Sequence, residues 1–296
     1  MAVRDVVQAA AGAGADSYWI SLLGGSGSDY GNAVAIDSSD NIIVCGRTAS
    51  DGAGGDDVLI AKYNSSGVLQ WDRTLGGIGT ERGNAVAIDS SDNIIVCGYT
   101  ASDGAGGNDV LIAKYNSSGV LQWDRTLGGS EADIGYAVAI DSSDNIIVCG
   151  YTASDGAGGD DVLIAKYNSS GVLQWDRTLG GIGTERGYAV AIDSSDNIIV
   201  CGYTASDGAG GEDVLIAKYN SSGVLQWDRT LGGSGTDYGS AVAIDSSDNI
   251  IVCGFTASDG AGSYDVLIAK YNSSGVLQWD RTLGGSGADL GSAVAI

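Results

Sequence analysis

The chain reads as an all-β fold, a β-propeller of four-stranded antiparallel blades, and three observations point there. Its 296 residues repeat with a period of 52, almost letter for letter. The string AVAIDSSDNIIVCG begins at Ala33, Ala85, Ala137, Ala189 and Ala241, and AVAI returns at Ala293. Periods of this size mark arrays whose units are too small to bury a core alone. Within each period four short apolar runs alternate with turns rich in Gly, Ser, Asn and Asp, and none has a helical spacing. The composition agrees, because 49 Gly, no Pro and 44% hydrophobic residues supply both tight turns and a core.

Residues 33–77 show the elements in order. Small residues at 33–37 form a first strand, placed innermost because a crowded centre admits little else. A polar turn follows at 38–41, where Asn41 is expected to take the left-handed conformation. The second strand, 42–48, is consecutively apolar at Ile42, Ile43 and Val44, as in a strand covered on both faces. A Gly-rich loop at 49–56 leads to a third strand at 58–63. Asn64 then folds its side chain back on the backbone, and Gly67 supplies a positive φ. The fourth strand, 68–75, carries Trp71 and lies outermost; Gly76-Gly77 opens the linker to the next repeat.

This count gives five complete blades. Carried back to the N-terminus, the offset aligns Trp19 with Trp71 and Asp5-Val6-Val7 with Asp57-Val58-Leu59. Residues 1–16 thus read as an eroded third strand and 17–23 as a fourth. Together with the sixth AVAI at 293–296 they predict a six-sector ring whose last sector is composite, incomplete and closed by both termini. A five-bladed ring with surplus terminal strands is the alternative. Either ring makes residues 1–296 one domain, with repeats starting at 33, 85, 137, 189 and 241 and a partial one at 293. Closure removes sheet edges that otherwise aggregate. A monomer is expected, with strand-swapped oligomers as the alternative for copies this alike.

Lys and Arg number 14 against 37 Asp and Glu, a net charge of −23. Phosphate binding depends on clustered cations, so nucleic acid is not expected as a partner. No run of 18 apolar residues exists, so membrane insertion is not expected either. Arg4 and Asp5 stand where a signal peptide needs its apolar stretch, and none is read. Cys45, Cys97, Cys149, Cys201 and Cys253 occupy one equivalent site. Packed sheets lie about 10 Å apart, too far for a disulfide between equivalents, so each is expected as a free, buried small hydrophobe. Trp71, Trp123, Trp175, Trp227 and Trp279 are expected to be structural.

The copies are their own comparison. The turns DSSD and NSSG are invariant, whereas the inter-blade linkers and the loop between second and third strands vary. Every linker keeps one carboxylate: Asp29, Glu81, Asp133, Glu185, Asp237 and Asp289. Beside it stand Tyr30, Arg82, Ile134, Arg186, Tyr238 and Leu290, with Tyr136 and Tyr188 two residues further along their own repeats. Acidic, aromatic and guanidinium groups on loops of a rigid scaffold suit ligand recognition. These carboxylates are expected to surround one mouth of the ring and to attract a cation, a basic peptide or a hydroxyl-rich glycan. Asp37, on the opposite rim, is expected to be silent.

Catalysis is not expected. The chain has no His for acid–base work near neutral pH and no G-x-S-x-G or H-E-x-x-H motif. A glycosidase would need two of the acids with unequal, perturbed pKa values. No cofactor is assigned. Ca²⁺ is the one considered, at Asp51, Asp57, Asp103 and Asp109, because the Asp- and Gly-rich loop echoes Ca²⁺-binding β-rolls. The rival to a binding module is a purely structural or designed symmetric ring without a ligand.

The run DSSDN-IIVCG-Y-T, then DVLIAKYNSSG, then LQWDRTLGG resembles the bacterial β-propeller repeat family called SBBP, from about Tyr18 onward. Asp40 and its equivalents depart from the Gly usual in the family's first hairpin. The resemblance implies bacterial or archaeal envelope or extracellular proteins used as binding or adhesion scaffolds. Trp71-Asp72 also mimics a WD dipeptide, without the His of a Gly-His partner.

Overall fold

The computed structural model describes residues 23–296. These form five four-stranded antiparallel sheets, each with its strands in sequence order. Blade 1 comprises Asp29–Ile36, Ile42–Thr48, Asp57–Tyr63 and Leu69–Leu75. Blade 2 runs from Glu81–Ile88 to Leu121–Leu127 and blade 3 from Asp133–Ile140 to Leu173–Leu179. Blade 4 runs from Glu185–Ile192 to Leu225–Leu231 and blade 5 from Asp237–Ile244 to Leu277–Leu283. Blades 1 and 2 belong to one compact unit that ends at Ser130; blades 3 to 5 make a second, Glu131–Ile296.

The first strand begins at the linker carboxylate, four residues earlier than its sequence suggests, because Asp29 still pairs with Thr48 and Gly31 with Gly46. Pairing then slips between Gly31 and Ala33, which leaves Asn32 as the extra residue of a β-bulge. The same bulge falls on Asn84, Tyr136, Tyr188 and Ser240. Opposite it sits a glycine: a Cβ on Gly202 would lie 1.8 Å from the Arg186 carbonyl oxygen. No side chain fits that approach.

Third strands are buried at every position in blades 1 to 4, as expected of strands covered on both faces. Ile43, Cys45, Val58 and Ile60 of blade 1 pack on Ile94, Val96, Leu111, Ala113 and Tyr115 of blade 2. Equivalent residues form the cores between blades 3 and 4 and between blades 4 and 5. The five cysteines are buried and form no disulfide. Burial pushes the Cys45 thiol up to about 12 and raises Cys97 and Cys201 as well. A thiol reagent should therefore react slowly with the native protein and fully after denaturation. Cys253, 7% exposed, should react first; a fast native reaction at all five sites would contradict this packing.

Trp175 acts across a junction. Its indole lies flat on the Gly223 turn of the next blade, where an added Cβ would meet the ring at 2.7 Å. Its Nε1 donates to Ser221 O at 3.3 Å, and Trp71 does the same to Ser117. Truncation removes this staple from a half-buried ring, so Trp175→Ala is expected to cost about 3 kcal/mol, the low end for a packed aromatic. An unchanged unfolding midpoint would contradict the assignment.

The invariant hairpins prove equally structural. Asp37, expected on the opposite rim to take no part in ligand binding, is buried. It accepts hydrogen bonds from Ser39 N at 3.0 Å and Asn41 N at 2.9 Å, and pairs with Lys62 Nζ at 2.7 Å. Burial opposes its ionisation, but the Lys62, Asn41 and Ser39 donors outweigh it and hold the carboxyl near 2. The left-handed residue is Asp40, at φ 59°, not Asn41. Its equivalent Asp92 shows what an acid does at this position: it accepts from Ser38 Oγ of the preceding blade at 2.6 Å. Ser142–Asp196 and Ser194–Asp248 repeat that clasp. The other turn matches expectation, with Asn64 Oδ1 accepting from Ser66 N and Val68 N and with Gly67 at φ 75°.

The N-terminal strands expected over 1–16 and 17–23 lie outside the described residues, apart from Leu23. At the other end, residues 293–296 repeat a first strand in sequence but form none.

Candidate functional site

The first strands and the loops between second and third strands carry the variable residues, and the structure divides them into two kinds. The linker carboxylates are the first kind. Glu81, Asp133, Glu185 and Asp237 are at most 1% exposed, so they do not line an open mouth as expected. Glu81 Oε2 accepts from Gly77 N at 2.8 Å and Oε1 from Thr100 Oγ1 at 3.2 Å; Glu185 repeats both bonds. Asp237 Oδ2 accepts from Gly233 N and Ser258 Oγ, and Asp133 Oδ2 from Ser154 Oγ. Linker N–H groups need an acceptor once buried, and the acid supplies it. Asp29 and Asp289 make the same turn bonds to Gly25 N and Gly285 N but are half-buried.

Asp57 and Asp109, considered for Ca²⁺, are buried too and accept from Ala53 N and Ala105 N of their own loops. Asp51 accepts from Gly52 N, and Asp103 N donates to Thr100 Oγ1. Among the described residues no three His, Cys, Asp or Glu side chains come together as metal ligands. Burial raises the pKa of Asp57, Asp161 and Asp213, and the neighbouring Glu81, Glu185 and Asp237 push the same way against single backbone hydrogen bonds. These are acids with perturbed pKa values, but they are closed to solvent.

The second kind is coupled between repeats. In the first unit, Arg47 stacks over Tyr30 at 4.2 Å and pairs with Asp56, which Arg82 of the next blade reaches at 3.9 Å. In the second unit, Arg186 Nε donates to Asp160 at 2.7 Å and its guanidinium lies 4.3 Å from the Tyr151 ring centre. The loop residue of one blade thus meets the first-strand residue of the next. Sequence comparison marked both positions as variable without showing that they touch.

Around Arg186 runs a belt of rings. Tyr136 lies 5.2 Å from Tyr188 and 5.9 Å from Tyr151. Tyr188 continues to Tyr203 at 5.8 Å and Tyr238 at 6.4 Å, while Tyr203 and Tyr238 stack at 4.4 Å. Phe255 and Tyr264 extend it at 4.9 and 5.1 Å. Tyr136 and Tyr188 are the bulge residues, and bulges re-aim side chains in this way. Of the expected site residues, Tyr136, Tyr188, Tyr238 and Arg186 come together here. Tyr30 and Arg82 stand in the first unit, and Leu290 is exposed without a ring. Tyr151, Tyr203, Phe255 and Tyr264 join the group; their only sequence signal was variation next to the loop. Burial pushes the Tyr136 and Tyr238 hydroxyls up to about 12 and raises Tyr188, so the belt offers neutral phenols at physiological pH.

Sequential four-stranded blades, stacked face to face and clasped at their turns, define a β-propeller repeat protein. More narrowly, it carries repeats of the SBBP type. The SBBP β-propeller repeat matches residues 19–52, and a β-propeller domain of unknown function, DUF5122, matches residues 90–121. An uncharacterized WD repeat-containing protein of Acanthamoeba polyphaga mimivirus is 24% identical over 262 residues, 76% of this chain. The chain spans only 17% of that relative's length. Among solved structures, the Neurospora crassa Pan2 WD40 domain superposes with a TM-score of 0.54 at 11% identity, covering 87% of this chain and 66% of that one. A polysaccharide lyase, an ulvan lyase, gives 0.50 at 13% identity, covering 87% and 73%. Such likeness speaks for the fold.

Proposed function

We propose that the chain is a non-catalytic binding module whose ligand surface is the aromatic belt of the second unit, and that the ligand is a glycan. The observation that carries this is the cluster of Tyr136, Tyr188 and Tyr238 beside Arg186, with two of the rings set on bulges. Half-buried tyrosines offer a flat apolar body with a hydroxyl tip, and a rigid scaffold holds them at little entropic cost. A sugar ring meets that surface with its C–H face and its hydroxyls. A basic peptide is less well served, because the carboxylates meant to attract it are buried and committed to linker turns. The same burial argues against hydrolysis by a carboxylate pair, since no substrate bond reaches the acids at Asp57 and Glu81. An extracellular or envelope setting agrees with this reading.

Screening the protein against a glycan array, with and without Ca²⁺, tests it. Binding should be unaffected by Ca²⁺, weakened at least about tenfold by Tyr188→Ala, as for a central aromatic contact, and unaffected by Tyr30→Ala. Release of cleaved product would make it an enzyme. Binding to no glycan, or equal loss with both variants, would leave the rings as packing alone.

A further inference from the structure

Asp-Gly occurs five times in the chain, at Asp51, Asp103, Asp155, Asp207 and Asp259, always inside the heptapeptide Thr-Ala-Ser-Asp-Gly-Ala-Gly or its equivalent ending in the same three residues. All five aspartates are exposed, in the loop between second and third strands. The loop is pinned on both sides of the dipeptide. Asp155 N donates to Thr152 Oγ1 at 3.2 Å and Ala157 N to Asp161 Oδ2 at 2.9 Å, and Asp259 N and Ala261 N repeat these bonds. The glycine between the pins holds φ between 113° and 117° in all five copies. An added Cβ on Gly156 would lie 2.2 Å from Asp161 Oδ2, so only glycine fits after the aspartate.

The copies part in one respect. Gly156 N donates to Oδ1 of its own neighbour Asp155 at 2.9 Å, as Gly260 N does to Asp259 at 2.9 Å and Gly52 N to Asp51 at 3.0 Å. At Asp103 and Asp207 that bond is missing, while the bonds from Asp103 N and Asp207 N to Thr100 and Thr204 Oγ1, at 3.2 Å, are kept. A backbone nitrogen this close to a carboxyl oxygen is also within reach of the carbon that bears it. Reacting atoms held about 3–3.5 Å apart have little orientational freedom left to lose.

We propose that Asp51, Asp155 and Asp259 are sites of spontaneous backbone modification, where the following glycine nitrogen closes a succinimide that water reopens to isoaspartate. In the first step the bond from glycine N to aspartate Cγ forms, and the hydroxyl of the protonated carboxyl leaves with the amide proton as water. In the second, water adds to a ring carbonyl and one C–N bond breaks. Opening at the backbone carbonyl leaves the chain running through Cγ; opening at Cγ restores aspartate. No oxidant or cofactor enters, and the net mass is unchanged. An isoaspartate lengthens the main chain by one carbon between two pins spaced for an aspartate. At Asp155 the same loop continues to Gly159, whose N–H donates to Gly183 O of the next linker at 3.0 Å, and to Asp160, which holds Arg186. Modification there loosens a tie between blades 3 and 4 beside the aromatic belt.

The test ages the full chain in warm, mildly acidic buffer made with heavy-oxygen water, digests it with trypsin and sequences the peptides by electron-transfer fragmentation. Each loop falls in a tryptic peptide of its own sequence, so the sites are read separately. In the folded protein, isoaspartate carrying one heavy oxygen should accumulate at Asp51, Asp155 and Asp259 at least about fivefold faster than at Asp103 and Asp207. In urea the shared local sequence should bring all five to one rate. Asp155→Glu, which would have to close a larger ring, should abolish the product at that site and leave those at Asp51 and Asp259. Equal rates at all five sites in the folded protein, or no isoaspartate at these three, would overturn the proposal.

Discussion

Asp141→Asn is expected to lower the unfolding free energy by about 3–5 kcal/mol, the usual consequence of leaving one member of a buried ion pair without its counter-charge. Lys166 lies 2.7 Å from that carboxylate, and both side chains are at most 8% exposed. The same change at Asp245 should cost far less, because the pair with Lys270 is open to water. Urea unfolding of both variants checks this, and equal losses would contradict it. A pH dependence follows. Burial opposes ionisation of Asp37, Asp89, Asp141 and Asp193, but their Lys and Asn partners prevail and lower each pKa. A lowered folded-state pKa contributes stability above the unfolded value, about 3.9, and that contribution disappears as pH falls toward about 2. Asp57, Asp161 and Asp213 are raised and act in the opposite sense: their contribution is complete below about 3.9 and is lost as pH rises through their folded values. Stability should therefore peak on the mildly acidic side of neutrality and collapse below about pH 4.

Gly202→Ala is expected to be comparably damaging, at ~3 kcal/mol, because the new Cβ would sit 1.8 Å from one backbone oxygen and 2.9 Å from the Gly187 Cα. Relief requires opening the pairing on both sides of the bulge, which also moves Tyr188. The variant should lose ligand binding along with stability. Gly285→Ala, where an added Cβ meets nothing within 4 Å, provides the neutral comparison. If both variants unfold at the same urea concentration as the parent, the bulge is not held by that close approach.

The positions of the second, third and fourth strands, the turn at Asn64 and the burial of the cysteines were readable from the sequence. Each depends on residues a few positions apart: apolar runs, an Asn four residues before the N–H it accepts, a Gly at a positive φ. The first-strand start was missed because Asp29 to Asn32 look like linker, and only the pairing of Gly31 with Gly46 draws them into the sheet. Burial of the carboxylates was missed for a related reason. An acid in a Gly-rich linker has the composition of a solvated turn, and its commitment to buried N–H groups appears only once neighbouring blades close over it.

Side-chain pairings between repeats were the least legible. Ser38 meets Asp92 across 54 residues. These partners are identical in every copy, so comparing copies cannot mark them as a pair. Asp160 and Arg186, 26 residues apart, do vary, yet their contact depends on how far one blade is offset against the next. By itself, then, the sequence determined the blade, its turns and the number of complete copies, because those are set by short-range periodicity and backbone conformation. Tertiary structure alone decided which acids are buried and which rings gather into a belt, because those depend on stacking one blade against another.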